Sequence, residues 1–160
     1  KRQIFVNNRL FFDTKTNSAE DLDFYMRTIR FIKTYILINI PFVYYRIGRV
    51  GSIVTDLKFS SFYGEMSFLI KTYNEVNDFP HPIIMKRYFA DEFSDRIMKI
   101  ARLKGKEKSK AMSLIEKNWH ITKDTTNKAK FKIAKILWKI LGLYNGSRLL
   151  YFLWLMKSKR

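Results

Sequence analysis

The apolar residues from about Asp56 onward recur with the spacing of an α-helix, and the pattern continues to the end of the chain. It predicts helices over 57–76, 83–103, 111–119, about 125–143 and 148–157. The expected breaks are the Asn-Asp-Phe-Pro segment 77–80, a solvated lysine-rich link over 105–110 and an Asn-Gly-Ser turn over 145–147. Most of the chain is therefore predicted to be helical.

The front of the chain has a different pattern. Residues 1–8 indicate the last turn of a helix, and 19–33 indicate a second helix with Ser18 as its cap. The apolar face of this second helix is expected to comprise Leu22, Tyr25, Met26, Ile29 and Ile32. The β-branched run 35–40, ended by Pro41, predicts a short strand. The expected fold class is mainly α with a small β element (α+β), divided into a front region, 1–54, and a basic helical region, 55–160.

Composition limits the classes of function. The chain has 160 residues, enough for one domain with a real core, and it has no cysteine and only two histidines. The absence of cysteine excludes disulfides and thiolate metal sites. Two histidines that lie far apart in sequence make a histidine-based triad unfavoured. Neither a signal peptide nor a run long enough to cross a membrane is visible, and a reducing cytoplasmic location fits. Because the sequence begins at Lys1 in mid-pattern, we expect it to be a piece of a longer protein.

The charge is extreme and uneven. The formal net charge is +17, which favours an anionic partner such as nucleic acid, an acidic membrane face or a phosphorylated substrate. From Lys99 onward there are seventeen Lys or Arg residues against three acids, a surplus of fourteen. Basicity is thus a property of the C-terminal helices, whereas the densest acidic cluster, Glu20, Asp21 and Asp23, belongs to the front.

Pattern alone explains this acidic cluster as the first turn of a helix, where the macrodipole and free N–H groups favour carboxylates. The order of residues around it points further. The motifs are, in chain order, Phe12-Asp13, Glu20-Asp21-Leu22-Asp23-Phe24, Arg27, Pro41, Tyr44-Tyr45-Arg46 and Gly51-Ser52. This ordered set resembles the second half of the catalytic domain in bacterial family 2 glycosyltransferases, the inverting nucleotide-sugar transferases of the GT-A fold. The resemblance covers residues 1–52.

The resemblance implies a role for each matching residue. Asp21 would be the general base that takes the proton from the acceptor hydroxyl as its oxygen attacks the anomeric carbon with inversion. Glu20 would help to orient the acceptor or the base. Substrate binding would fall to Asp23, Arg27, Tyr45 and Arg46, with the arginines meeting the carboxylates or the sugar-nucleotide phosphates. The tyrosines at 44 and 45 could equally be core residues beside the strand.

The first half of the family's catalytic domain has no counterpart among the matching residues. That half contains the βαβ nucleotide-binding unit and a D-x-D segment that holds a divalent metal, Mg or Mn, with the diphosphate. Asp21-Leu22-Asp23 is literally D-x-D but occupies the base position, so no metal or other cofactor is assigned to this chain. The resemblance thus implies the acceptor-side remnant of a GT-A α/β domain, inactive alone, in a parent that transfers sugar from a nucleotide-diphosphate sugar to a glycan or lipid-linked acceptor. A strand without its neighbours could also pair in a homodimer.

The last two predicted helices combine apolar stripes with lysines. Phe131, Ala134, Trp138 and Leu141 follow one stripe, widened by Ile133, Leu137, Ile140 and Tyr144. Such stripes fit either a helix-to-helix core or a helix lying on an anionic membrane surface, while nucleic acid is the least favoured partner. The resemblance favours the inner face of a membrane. The competing function is a non-catalytic basic helical module that binds anionic membrane or nucleic acid. His81 and His120 are interpreted as turn and surface residues.

Overall fold

The computed structural model describes residues 2–13, 20–34, 36, 39, 41 and 59–158, with side chains as far as 156. The described α-helices are α1 (Arg2–Asn7), α2 (Glu20–Ile29), α3 (Phe59–Asn74), α4 (Pro82–Ile97), α5 (Gly105–Lys117) and α6 (Ala129–Ser158). Short 3-10 segments cover Val76–Asp78, Met98–Arg102 and Trp119–Asp124. The mainly α prediction is confirmed. No described residue lies in a strand, and four of the six residues of the predicted strand 35–40 lie outside the described ranges.

The chain divides into two compact units, Lys1–Gly64 and Glu65–Arg160, and the division falls within α3. The predicted boundary at 54/55 lies outside the described residues. Each unit has its own described helices, and each positions a different set of polar side chains.

In the first unit, α1 ends in a Schellman motif. Arg9 takes the left-handed conformation, with φ of 51°. The amide of Leu10 then donates to the carbonyl of Phe5 at 2.8 Å, and the amide of Arg9 donates to Val6 at 3.2 Å. Leu10 is buried directly after this turn, so the motif directs the chain back towards the core.

The second helix of this unit is shorter than the predicted range 19–33. After Ile29 the amides of Phe31 and Ile32 bond to carbonyls three residues back, and these tighter turns end α2. Met26 is buried as expected, but Tyr25 is 52% exposed. Phe24, which the predicted apolar face omitted, stacks on Phe12 with ring centroids 4.5 Å apart and on Phe5 at 5.7 Å. Aromatic stacking therefore replaces part of the expected aliphatic face.

The core of the second unit is centred on α4. Phe89, Phe93 and Ile97 recur every fourth residue and are fully buried. The helix packs against all three 3-10 segments and against α6, while α5 packs against Met98–Arg102. Other fully buried side chains in this unit are Met66, Ile100, Ala111, Ile115 and Ile121.

Two predicted connections are wrong. The lysine-rich stretch 105–110 is the first half of α5, because Ala111 and Ile115 are fully buried and fix the whole helix on the core. The predicted turn 145–147 is helical and lies within α6. The break in α6 falls instead at Gly142, whose φ of 75° and ψ of 164° form a conformation that is essentially restricted to glycine.

Contacts across this break explain why 145–147 is helical. Gly146 and Ser147 are buried, and the indole Nε1 of Trp138 donates to the Ser147 hydroxyl at 3.0 Å. Of the predicted stripe, Phe131, Ala134 and Trp138 are core residues, which confirms their place in a helix-to-helix core. Leu141 is 41% exposed.

Candidate functional site

The acidic cluster forms the first turn of α2, as predicted. Glu20 and Asp21 begin the helix and are exposed, whereas Asp23 is buried. The amide of Leu22 donates to Oδ1 of Asp21 at 2.7 Å. A carboxylate in this position interacts favourably with the helix dipole. The first turn therefore presents two solvent-facing carboxylates and holds the third inside.

Asp23 is fixed by Arg27, one helical turn away. The guanidinium Nε lies 2.8 Å from Oδ2 of Asp23, and Nη2 of the same arginine donates to the carbonyl of Phe11 at 2.7 Å. The pair is mostly shielded from water, with side-chain exposures of 12% for Asp23 and 29% for Arg27. Arg27 thus ties α2 to the segment that follows α1, and we call this arrangement the Asp23–Arg27 bracket.

The aromatic stack supports the same junction. Phe12 lies next to the residue whose carbonyl Arg27 binds, and its ring is nearly parallel to that of Phe24, at 15°. Since Phe24 follows Asp23 directly, the stack and the bracket fasten the same turn of α2 to the same neighbouring segment. The exposed carboxylates of Glu20 and Asp21 project from a helix start that is held from two sides.

The structure places four of the six predicted site residues on α2 and brings three of them to one side of that helix. Glu20, Asp23 and Arg27 lie within about 60° of one another around the helix axis, while Asp21 is turned by about 100° from Glu20. Tyr45 and Arg46 lie outside the described residues. Nothing in the described geometry tests the predicted roles of any of these residues, so those roles stay predictions.

A cleft of about 530 Å³ opens near the other end of α2. Its lining residues are Ile4, Phe5, Thr28, Phe31, Ile32, Lys33 and Thr34. None of the predicted site residues contributes to it. The cleft is largely apolar and its cation, Lys33, lies beyond the C-terminal end of the helix, so it is separate from the acidic turn.

A second polar cluster joins α3, α4 and the 3-10 segment Trp119–Asp124. The Tyr73 hydroxyl donates to the Asp124 carboxylate, and the Lys86 ammonium lies 3.2 Å from that carboxylate. His120 meets the Tyr73 ring edge-on, with centroids 6.0 Å apart. The hydrogen bond from Tyr73 lowers the pKa of Asp124, with further contributions from Lys86 and His120 that act against burial. Burial and the same carboxylate raise the pKa of Tyr73. An ionised Asp124 therefore anchors the segment at neutral pH.

The second unit also contains a cleft of about 460 Å³ beside α6. Its lining comprises Trp119, Thr122, Lys123, Lys135, Trp138 and Lys139, and we call it the two-tryptophan cleft. The two indoles meet edge-to-face, with centroids 5.5 Å apart. Trp138 is buried, and its N–H is already bonded to Ser147. The cleft thus combines aromatic walls with three cations.

Sequence reasoning missed most of these partners. The Asp23–Arg27 pair had a local signal, because an acid and a base four residues apart on a helix face each other. The Phe11 carbonyl had none, since a backbone acceptor cannot be read from side-chain pattern. Tyr73 and Asp124 are 51 residues apart, and only the tertiary fold brings them together.

Within the described residues, no group of three or more His, Cys, Asp or Glu side chains could hold a metal ion. The acidic turn of α2 is included in this statement, and the Asp23 carboxylate is already paired with the Arg27 guanidinium. None of the described helices is both long enough and apolar enough to cross a lipid bilayer. Comparison of the chain with protein-family models, with curated proteins and with solved structures finds no match.

Proposed function

We propose that this chain is the acceptor-side part of an inverting glycosyltransferase, with Asp21 as the general base. The observation that carries this function is the ordered motif set in residues 12–52, combined with the contrast inside the acidic turn. Asp23 is held by Arg27, whereas Glu20 and Asp21 are exposed at the start of α2. Two carboxylates are therefore available to a sugar hydroxyl, on a turn whose position is fixed.

In this reaction the Asp21 carboxylate accepts the proton of the acceptor hydroxyl while that oxygen attacks the anomeric carbon of a nucleotide-diphosphate sugar. The new glycosidic bond forms as the bond to the diphosphate oxygen breaks, and the nucleoside diphosphate leaves with the electron pair. Configuration at the anomeric carbon inverts because attack and departure occur on opposite faces. A positioned general base contributes about 10²–10⁴-fold to such a step.

The neighbouring residues have supporting roles in this scheme. Glu20 accepts a second hydroxyl of the acceptor and so orients it. The Asp23–Arg27 bracket holds the first turn of α2 in place, and Arg27 keeps donors that an acceptor or a phosphate can use. The donor nucleotide requires a βαβ unit with its own D-x-D segment, and the motifs of residues 12–52 match only the acceptor-side half. A divalent metal, Mg or Mn, would be held by that D-x-D segment, so no step of this chain's residues is assigned to it. The corresponding location is the cytoplasm.

The test is Asp21→Asn in a protein that carries both halves, with release of nucleoside diphosphate as the measurement. We expect transfer to fall by about 10²–10⁴-fold with little change in the thermal midpoint, because the side chain is exposed. Glu107→Gln is the matched control: it also removes an acid from the first turn of a helix, here α5, and should leave transfer unchanged. Transfer that survives Asp21→Asn would show that the base is another residue.

A further inference from the structure

The first half of α6 has apolar residues on two opposite sides. Phe131, Ala134 and Trp138 are buried on one side. At about 100° per residue, Ile133, Ile136 and Ile140 lie on the opposite side, within about 60° of one another. Their exposures are 51%, 56% and 71%. These three side chains, which we call the isoleucine ridge, form a contiguous apolar strip that the described residues leave uncovered.

Lysines follow one flank of this ridge. Lys132, Lys135 and Lys139 lie between the ridge and the buried side, and the last two also line the two-tryptophan cleft. Two lysines at the start of α6 and just before it are used internally: Lys128 pairs with Asp91 at 3.3 Å and Lys130 with Asp95 at 2.6 Å. For the three flank lysines, no carboxylate of the described residues lies within ion-pair distance. Their positive charge is therefore uncompensated by the described residues.

We propose that α6 docks on the surface of an anionic phospholipid bilayer, with the isoleucine ridge among the acyl chains and the two-tryptophan cleft at a headgroup phosphate. The choice of a bilayer as the partner rests on the charge and the shape of this surface together. An apolar strip bordered by uncompensated lysines matches an interface that is apolar below and negatively charged above. The long lysine stems reach the phosphates while the ridge stays inserted.

The charge of the C-terminal part of the chain, α6 included, acts in the same direction. From Lys99 onward the chain has a surplus of fourteen positive charges. After the break at Gly142, α6 exposes a second apolar set at helical spacing, Leu149, Phe152, Leu153 and Met156. A soluble partner protein would have to match both sets and the lysines at once, whereas a fluid bilayer adapts to each. Nucleic acid would leave the isoleucines in water.

The test is co-sedimentation of the whole chain with vesicles of phosphatidylcholine, alone or with about 30% phosphatidylglycerol, at low and at high salt. We expect binding to the anionic vesicles that weakens with salt, and little binding to the neutral ones. Ile136→Ser/Ile140→Ser should lower the partition coefficient at least about tenfold. The matched control is Ile83→Ser/Ile84→Ser on α4, whose side chains are 71% and 65% exposed, and it should leave binding unchanged.

A variant that removes charge from the two-tryptophan cleft distinguishes binding by the cleft from general electrostatic attraction to the anionic membrane. Lys135→Gln/Lys139→Gln should weaken binding roughly thirtyfold, because each lysine near an anionic surface contributes about a fivefold change. Lys71→Gln/Arg87→Gln removes the same charge from exposed positions outside α6 and the cleft, and should change binding less than about threefold. Equal losses in the two charge variants would overturn the cleft assignment.

Tryptophan fluorescence gives a readout that needs no substitution. All three tryptophans of the chain lie in the second unit, so brominated lipids should quench the native protein when α6 is docked. Absence of both quenching and vesicle binding would overturn the inference. So would analytical ultracentrifugation showing a dimer that Ile136→Ser/Ile140→Ser dissociates, because the ridge would then be covered by a second copy. Equal binding to neutral vesicles, or tighter binding to an RNA oligomer, would also contradict it.

Discussion

Each of the two units is stabilised by a different kind of interaction. Among the described apolar side chains of the first unit, Leu10, Met26 and Phe62 are buried, whereas Phe11, Phe12 and Tyr25 are each more than half exposed. Order there depends on the Asp23–Arg27 bracket and on stacked rings. In the second unit a continuous apolar core surrounds α4, and polar contacts fasten its edges. Where few of the described apolar side chains are buried, each polar contact is important, whereas a continuous core leaves surface charge free for a partner.

The strongest test of this contrast is Phe93→Ala. The side chain is fully buried in the middle of α4, so its loss removes apolar burial and leaves a cavity. We expect the free energy of unfolding of the second unit to fall by about 3–5 kcal/mol, measured by urea denaturation. Phe152→Ala removes the same ring from an exposed position and should cost less than about 0.5 kcal/mol. Similar costs would mean that the core is not what stabilises this unit.

Asp91→Ala tests the most important polar fastening of the second unit. The buried carboxylate accepts hydrogen bonds from the amide of Thr126 at 2.8 Å and from its hydroxyl at 2.7 Å. Removal leaves both donors without this partner, and we expect a loss of about 2–3 kcal/mol in thermal unfolding. Asp95→Ala is the control, because its pair with Lys130 is largely exposed and should contribute about 0–1 kcal/mol. A small effect at Asp91 would assign the 125–128 connection to apolar packing alone.

Asp23→Ala should show the dependence of the first unit on its bracket. It removes the carboxylate that holds the Arg27 guanidinium against α2, and we expect a loss of about 1–2 kcal/mol together with faster hydrogen exchange in α2. Glu92→Ala breaks an acid–base pair of the same spacing in α4, where Arg96 also bonds to Glu65 at 2.8 Å. That substitution should cost less than about 1 kcal/mol. Equal costs would remove the distinction between the units.

The smallest effect is pH dependence from Asp124. Its pKa is lowered in the folded state by the hydrogen bond from Tyr73 and then by Lys86, so the ionised form is the stabilising one. The contribution is therefore present above the ordinary carboxyl pKa and is lost as the pH falls below about 4. We expect the stability difference between wild type and Asp124→Asn to shrink between about pH 6 and pH 2. It should stay below about 1 kcal/mol, because the side chain is 36% exposed. A difference that is constant with pH would contradict this assignment.

Local pattern located most of the described helices, although it missed the first half of α5 and divided α6 in two. The 3, 4 spacing of apolar residues located α2, α3, α4 and α6, and the acidic residues at 20–23 marked the first turn of α2. The stretch 105–110 was predicted wrongly because its lysines have the composition of a solvated link. The residues that pack this helix on the core, Ala111 and Ile115, come only later in the sequence. In the candidate site, the Asp23–Arg27 pair was readable from spacing, but the exposure of Glu20 and Asp21 depends on the fold.

The position of the break in α6 could not be predicted for a similar reason. Asn145-Gly146-Ser147 has the strongest turn composition, yet the chain bends at a single Gly142. Ser147 is used by Trp138 as a hydrogen-bond acceptor, which requires a helical register at that point. Tertiary contacts therefore outweighed local turn chemistry.

The two glycines of α6 are energetically coupled. A side-chain carbon at Gly146 would lie 2.9 Å from the carbonyl oxygen of Leu137, nine residues earlier. In an unbroken helix those positions are separated by about 13 Å, so the steric requirement at Gly146 exists only because Gly142 turns the chain back. Loss of the bend would abolish the need for a glycine at 146, and the costs of substituting the two positions would not add. Selection at one site thus depends on the residue at the other, so the pair is expected to persist or to be lost together.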